Sequence, residues 1–230
     1  MEYRRVYMVG IGGIGLSALA QYFVHEGVQV SGSDRGESPT TNMLAAQGVD
    51  VIIGQKADNV PQDADLVVYS DAIPVDAPER LRAKELGIKS ISYFEALGEV
   101  AKTKRTIAVS GTHGKTTTTA MLGKMLIDAG LNPTVVVGSI VAEWGSNFRA
   151  GTSDLFVVEA CEYRNHFLNF TPEVLVITNI ELDHTDFFAS LADIESAFAE
   201  ARTKAKRVIE ATDYQQVQVP ELLLPGEFNK

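Results

Sequence analysis

The sequence has little of what marks secreted, membrane-bound or nucleic-acid-coating proteins. It carries a single cysteine, Cys161, in 230 residues, which excludes an internal disulfide and suits a reducing compartment. Positive charge is in deficit, with 20 Lys and Arg against 30 Asp and Glu and a formal net charge of −10. Such a balance argues against a non-specific binder of nucleic acid or of a membrane surface. It does not exclude anionic ligands, which loops and helix ends bind locally. No apolar run approaches the roughly 20 residues of a membrane-spanning helix. Arg4-Arg5 and the apolar stretch ending Ala18-Leu19-Ala20 imitate a cleavable secretory signal. Gly10, Gly12, Gly13 and Gly15 interrupt that stretch with the spacing of a nucleotide-binding turn, so a cytoplasmic protein is expected. The one tryptophan, Trp144, and the methionines read as packing residues.

What is present centres on Val109-Ser110-Gly111-Thr112-His113-Gly114-Lys115-Thr116-Thr117-Thr118-Thr119. An apolar strand, Thr106 to Val109, enters this loop, and Met121, Leu122, Met125 and Leu126 follow at helical spacing on one expected face. Gly111 and Gly114 allow backbone N–H groups to turn inward around an anion, and a helix N-terminus adds partial positive charge. Lys115 offers a point charge to terminal phosphates, and the Thr116 hydroxyl suits Mg²⁺. The usual G-x-x-x-x-G-K-[ST] pattern would place glycine where Val109 stands, so the loop is a variant. A plain Gly/Thr-rich turn is the bland alternative; the strand before and the helix after favour a nucleoside triphosphate site.

The N-terminal half repeats the theme. A strand from Tyr3 to Val9 leads into Gly10-Ile11-Gly12-Gly13-Ile14-Gly15, a helix runs to His25, and a second strand ends at Ser33-Asp34. This is a G-x-G-x-x-G arrangement, with an acid placed for a ribose or a base. The motif by itself does not say which nucleotide binds. A buried strand, Leu66 to Tyr69, ends in the loop Ser70-Asp71-Ala72-Ile73-Pro74. The alternation of strands and helices predicts an α/β protein of two parallel-sheet domains, a Rossmann-like domain over 1–103 and a P-loop domain over 104–230. Three loops of the first domain converge at the carboxyl ends of its strands, where ligands of such sheets bind.

In the second domain, the apolar run Asp154 to Val158 ends in Glu159. A carboxylate at the end of a buried strand calls for a metal or a cationic partner, so Glu159 is a candidate Mg²⁺ ligand, with a salt-bridged or capping glutamate as the alternative. Val174 to Asn179 leads to Ile180-Glu181-Leu182-Asp183-His184. His184 could be a metal ligand, a phosphate contact or a satisfied loop histidine, and Asp183 could orient it. Cys161 reads as a small buried residue before a nucleophile.

Three segments together resemble the ATP-dependent Mur ligases of peptidoglycan synthesis: Gly111 to Thr118, Val158-Glu159-Ala160-Cys161-Glu162-Tyr163-Arg164, and Thr178 to His184. Gly10 to Gly15, Ser31 to Asp34 and Tyr69 to Ile73 resemble the family's N-terminal domain, and the likeness runs from about Tyr3 to Asn229. The resemblance implies that Gly111, Thr112, His113, Gly114, Lys115, Thr116 and Thr117 hold ATP, with Asn229 at the adenine. It implies that Thr116 and Glu159 hold a first Mg²⁺ and that His184 serves a second cation, Lys115, Glu159 and His184 being the catalytic set. Gly12, Gly13, Ile14, Ser33, Asp34, Ser70 and Ala72 would line the UDP end of a sugar nucleotide, with Arg164 and His166 toward its muramyl group or a phosphate. Some sister ligases carry a carbamylated lysine where this chain has Phe198, a departure that favours the alanine-adding branch.

That branch joins L-alanine to the lactyl carboxylate of UDP-N-acetylmuramate through an acyl phosphate. The carboxylate oxygen attacks the γ-phosphorus of ATP with loss of ADP, and the amine nitrogen then displaces phosphate from the acyl carbon. Leu224 to Lys230 resembles the family's junction into a third domain, so the expectation is a chain that binds the UDP-sugar but does not ligate alone. A sister ligase that attaches a preformed peptide, a nicotinamide-dependent oxidoreductase and a P-loop switch remain as alternatives. The oxidoreductase leaves the second loop idle, and the switch leaves the first domain idle.

Overall fold

A computed structural model describes residues 3–214. The chain forms two compact units, one running to Leu97 and including Gly138–Ala150, the other comprising Gly98–Val137 and the chain from Gly151 onward. The first unit contains β1 (Arg5–Val9), α1 (Ile14–His25), β2 (Gln29–Asp34), α2 (Pro39–Ala46), β3 (Asp50–Ile53), β4 (Leu66–Tyr69), α3 (Pro78–Glu85) and β5 (Lys89–Ser92). Helix α4 (Tyr93–Lys102) carries the chain out of it. The strands pair in parallel in the order β3-β2-β1-β4-β5. β1 is central because it can be buried on both faces: Val6, Tyr7, Met8 and Val9 are all fully enclosed. Local chemistry fixes the helix starts. Ser38 and Thr41 form a reciprocal capping box with Pro39 in the first turn of α2, and Pro78 opens α3.

The second unit contains β6 (Arg105–Ser110), α5 (Lys115–Asp128), the start of β7 (Thr134–Val141), then, after β8 (Ser146–Arg149), β9 (Leu155–Glu159), β10 (Val174–Ile177), α6 (Leu191–Lys204) and β11 (Arg207–Ile209). Its strand order is β11-β10-β6-β9-β7, with parallel pairing. β6 is therefore flanked by β10 and β9, so the loops that follow these three strands lie side by side.

The sequence reading has one boundary at 103/104 and assigns 138–150 to the second domain. By packing, that segment goes with the first unit. There Ser146 Oγ donates to Gln21 Oε1 at 3.1 Å, and Asn147 Nδ2 donates to the Ile14 carbonyl. β8 pairs with the far end of β7 and makes the sheet mixed, a hairpin the strand pattern did not foretell.

The face of α5 also differs from expectation. Met121 and Met125 are 60% and 66% exposed, whereas Thr119 and Gly123 are buried. The helix approaches β9 along its smallest side chains, which allow close packing, and this turns the methionines outward. Among the described residues no helix is long and apolar enough to cross a membrane.

Candidate functional site

In the second unit, the turn between β6 and α5 is held by residues of the segment that follows β10. Gly111 has φ +131°, and a Cβ there would lie 2.0 Å from Thr178 Oγ1, so no side chain fits. Thr178 Oγ1 lies 2.6 Å from the His113 carbonyl and 3.2 Å from that of Ser110. Asn179 clamps the other side: its carbonyl accepts from Thr112 N at 3.0 Å, its Oδ1 accepts from His113 N at 2.9 Å, and its Nδ2 donates to the His113 carbonyl at 3.1 Å. Thr112 Oγ1 donates to the Glu181 carbonyl and accepts from the Glu181 N–H. The loop is thus held from outside, and α5 begins at Gly114 in a left-handed conformation with no side-chain cap. That leaves the N-terminal end of a 14-residue helix for an anion.

Lys115 Nζ sits at the mouth of this loop, 2.6 Å from the Gly111 carbonyl and 3.0 Å from the Thr112 carbonyl. Thr116 Oγ1 donates to Glu159 Oε1 at 3.0 Å, which brings together a hydroxyl and a carboxylate from the two motifs. Both are hard oxygen donors of the kind that hold Mg²⁺ jointly with phosphate and water. No group of three or more His, Cys, Asp and Glu among the described residues could hold a metal. Thr117 is exposed on the first turn of α5, and the His113 ring lies 3.7 Å from the Glu181 carboxylate.

His184 adopts φ 51° and is tilted 37° from the Tyr163 ring at 4.6 Å. Asp183 accepts from the His184 backbone N–H at 2.6 Å, so it shapes the turn and does not set the ring tautomer. The partner of the imidazole is Glu162, whose Oε1 is 3.4 Å from His184 Nε2. Glu162 also pairs with Lys115, at 2.8 Å. The sequence reading assigned Glu162 no role. Arg164 and Asn165, both in left-handed conformations, make the turn that follows, closed by Asn165 N donating to the Glu162 carbonyl at 2.9 Å. Arg164 is exposed beside the Tyr163 ring at 5.3 Å. Cys161 is half-buried and not fully buried as the sequence suggests, and burial, then the neighbouring Glu162 charge, pushes its thiol above the ordinary range. Phe198 is buried on α6 against Phe167. Asn229 lies outside the described residues.

The first unit presents its own loop cluster at the carboxyl ends of β1, β2 and β4. Asp34 Oδ2 accepts from Gly12 N at 2.8 Å, and a Cβ on Gly12 would meet that oxygen at 2.8 Å. Gly13 and Ile14 are exposed at the start of α1, and Ala72 is exposed beside Ser70, whose Oγ accepts from Ala72 N at 3.4 Å. Ser33 points the other way. Its Oγ donates to Glu79 Oε2 at 2.8 Å inside the core, and its carbonyl accepts from Gly10 and Ile11. Glu79 is fully buried and also accepts from Tyr7 OH at 2.7 Å and Asn59 Nδ2 at 3.0 Å. Burial, with Glu79 alongside, drives the Tyr7 phenol far above its ordinary range, so it remains a donor. This network braces the loop from beneath, and only the side-chain contacts revealed it.

Both units match known proteins. Residues 5–105 match the Mur ligase family, catalytic domain, and residues 109–216 match the Mur ligase middle domain. A UDP-N-acetylmuramate–L-alanine ligase of Agathobacter rectalis is 47% identical over 196 residues, covering 85% of this chain and 43% of the relative. Among solved structures, the UDP-N-acetylmuramate-alanine ligase of Thermotoga maritima is 34% identical with a TM-score of 0.82, covering 90% of this chain and 48% of that one. The UDP-N-acetylmuramate:L-alanyl-gamma-D-glutamyl-meso-diaminopimelate ligase of Neisseria meningitides is 30% identical with a TM-score of 0.80, covering 88% and 68%. The chain thus spans less than half the length of the curated relatives it matches.

Proposed function

Since the chain belongs to the Mur ligase family, we propose that it carries the sugar-nucleotide and ATP units of a cytoplasmic ligase joining L-alanine to UDP-N-acetylmuramate. The observation that carries this reading is the pairing of Thr116 Oγ1 with Glu159 Oε1 at 3.0 Å, beside Lys115 in a turn that accepts no side chain at Gly111. Likeness to relatives named for alanine addition, 47% and 34% identical, favours that branch over the preformed-peptide ligase, 30% identical.

In this reading the backbone of Gly111 to Lys115 and the start of α5 cradle the ATP phosphates, and Lys115 offsets charge on the phosphoryl group during transfer. Thr116 and Glu159 would hold Mg²⁺, which when bound neutralises charge between the β- and γ-phosphates. His184 is the candidate contact for a second cation or the reacting carboxylate. Gly12, Gly13, Ile14, Asp34, Ser70 and Ala72 would line the UDP end, with Ser33 acting through the backbone it braces. The lactyl carboxylate takes the γ-phosphoryl group, ADP leaves, and the amine of L-alanine displaces phosphate from the acyl carbon. Most of the protein's contribution is positioning and fixed charge.

Calorimetric titration tests the assignment. UDP-N-acetylmuramate and Mg-ATP should each give heat, Gly13→Val should abolish only the first, and Lys115→Met should abolish only the second. Heat from NAD⁺ or NADP⁺ in place of the UDP-sugar would overturn the reading and make the first unit a redox module.

A further inference from the structure

Glu162 is the most enclosed charged group at the phosphate loop. Its side chain is 1% exposed, against 13% for Lys115 and 35% for His184. Lys115 Nζ lies 3.1 Å from Oε1 and 2.8 Å from Oε2 of this carboxylate, and His184 Nε2 lies 3.4 Å from Oε1. Oε2 accepts no hydrogen bond among the described residues, so a buried carboxylate oxygen is balanced there by charge alone. Such an arrangement holds only while the cation stays beside it. The ammonium of Lys115 has three donors, and its three partners are the Gly111 carbonyl, the Thr112 carbonyl and Glu162. All of them are protein groups, and a phosphate entering the loop competes with them for the same nitrogen.

We propose that Glu162 is a positioning residue that holds Lys115 across the loop in the absence of nucleotide, its carboxylate standing in for the terminal phosphates, while keeping His184 turned to the same point. The proposal rests on the nucleotide reading of the loop given above. The turn at Arg164 and Asn165 supports it, because two successive non-glycine residues at φ 51° and 60° are a costly way to continue a chain. Here they close a turn on Glu162, whose carbonyl accepts from Asn165 N at 2.9 Å, while Tyr163 OH donates to Asp186 at 2.6 Å and its ring lies against His184. When phosphate binds, Lys115 exchanges one anionic partner for another. The carboxylate left behind both competes with the phosphate and repels it, so removing its charge should tighten anion binding. Loss of a merely structural residue would loosen it.

The test has a ligand-free arm and a nucleotide arm, both on the full 230-residue chain. Acetylation of Lys115, followed by mass spectrometry without nucleotide, should be about 3- to 10-fold faster in Glu162→Gln than in the parent chain. It should be intermediate in Glu162→Asp, whose shorter side chain draws the charge away; that variant carries the test if Glu162→Gln does not fold. Titration with the non-hydrolysable ATP analogue AMP-PNP should show tighter binding to Glu162→Gln than to the parent chain. Unchanged labelling in both variants, or AMP-PNP binding that is not tightened in Glu162→Gln, would each overturn the proposal. If labelling accelerates but no variant binds nucleotide, the nucleotide reading falls and the Glu162–Lys115 restraint stands. If nucleotide binds and labelling does not change, only the role of Glu162 is lost.

Discussion

Gly111 is the residue on which the phosphate loop turns, and the consequence of filling it can be stated. Alanine there would place a Cβ 2.0 Å from Thr178 Oγ1 on a backbone at φ +131°, which combines overlap with conformational strain. Gly111→Ala should lower unfolding free energy by about 2–4 kcal/mol in a urea titration and weaken ATP binding along with it. Glu79→Ala should be comparably damaging in the first unit, about 3 kcal/mol, because it strands Tyr7 OH and Ser33 Oγ around a buried void and leaves Asn59 Nδ2 only the Gly54 carbonyl. Its signature would be weaker UDP-sugar binding from a residue that lies beneath the loop. Lys115, Thr116 and Glu159 are legible in the sequence because a loop motif and a strand-end acid code for them locally. Glu162, Thr178 and Asn179 are not. Their roles depend on a left-handed turn and on β10 pairing with β6 so that Ile177 lies opposite Ser110, neither of which leaves a periodic trace.

At the scale of elements, acidic groups just ahead of β4 and β10 and in the loop before α6 set the response to pH. Backbone N–H groups of Arg4 and Arg5 hold the Asp65 carboxyl below its usual range, the Arg105 side chain does the same for Glu173, and Tyr163 does so for Asp186. A carboxyl whose pKa is lower in the folded chain than in the unfolded one stabilises the fold above the ordinary carboxylate range. That contribution disappears as pH falls through and below this range. The urea midpoint should therefore fall between about pH 5 and pH 3, and Asp65→Asn should flatten the fall. Periodicity located most strands and helices but misjudged α5, since an apolar stripe does not say which side meets the sheet. Gly123 and Thr119 decided that by allowing close approach to β9. The β8 hairpin escaped notice for a similar reason. Its residues are mostly polar, and Ser146 and Asn147 are buried by hydrogen bonds to α1 and its leading turn.

For the whole molecule, the proposed function puts one ligand loop in each unit and so implies separable linkage. Saturating UDP-N-acetylmuramate should protect amides of 10–15 and 70–73 from hydrogen exchange, and Mg-ATP those of 111–119. Each ligand at 100 times its Kd should add about 2.7 kcal/mol to the unit that binds it. Protection of both loop sets by a single ligand would argue against this division of labour. The sequence by itself determined the alternation of strand and helix, the glycine turns after β1 and β6, and the candidate groups of the proposed phosphate and metal site. These are local: they need only a motif, a period and a chain direction. Only the tertiary structure decided strand order. By setting β1 between β2 and β4, and β6 between β10 and β9, it chose which loops became neighbours. That choice rests on pairings between residues as much as 68 positions apart, such as Ser110 with Thr178, whose free energy comes from burial and register and is not written in any one segment.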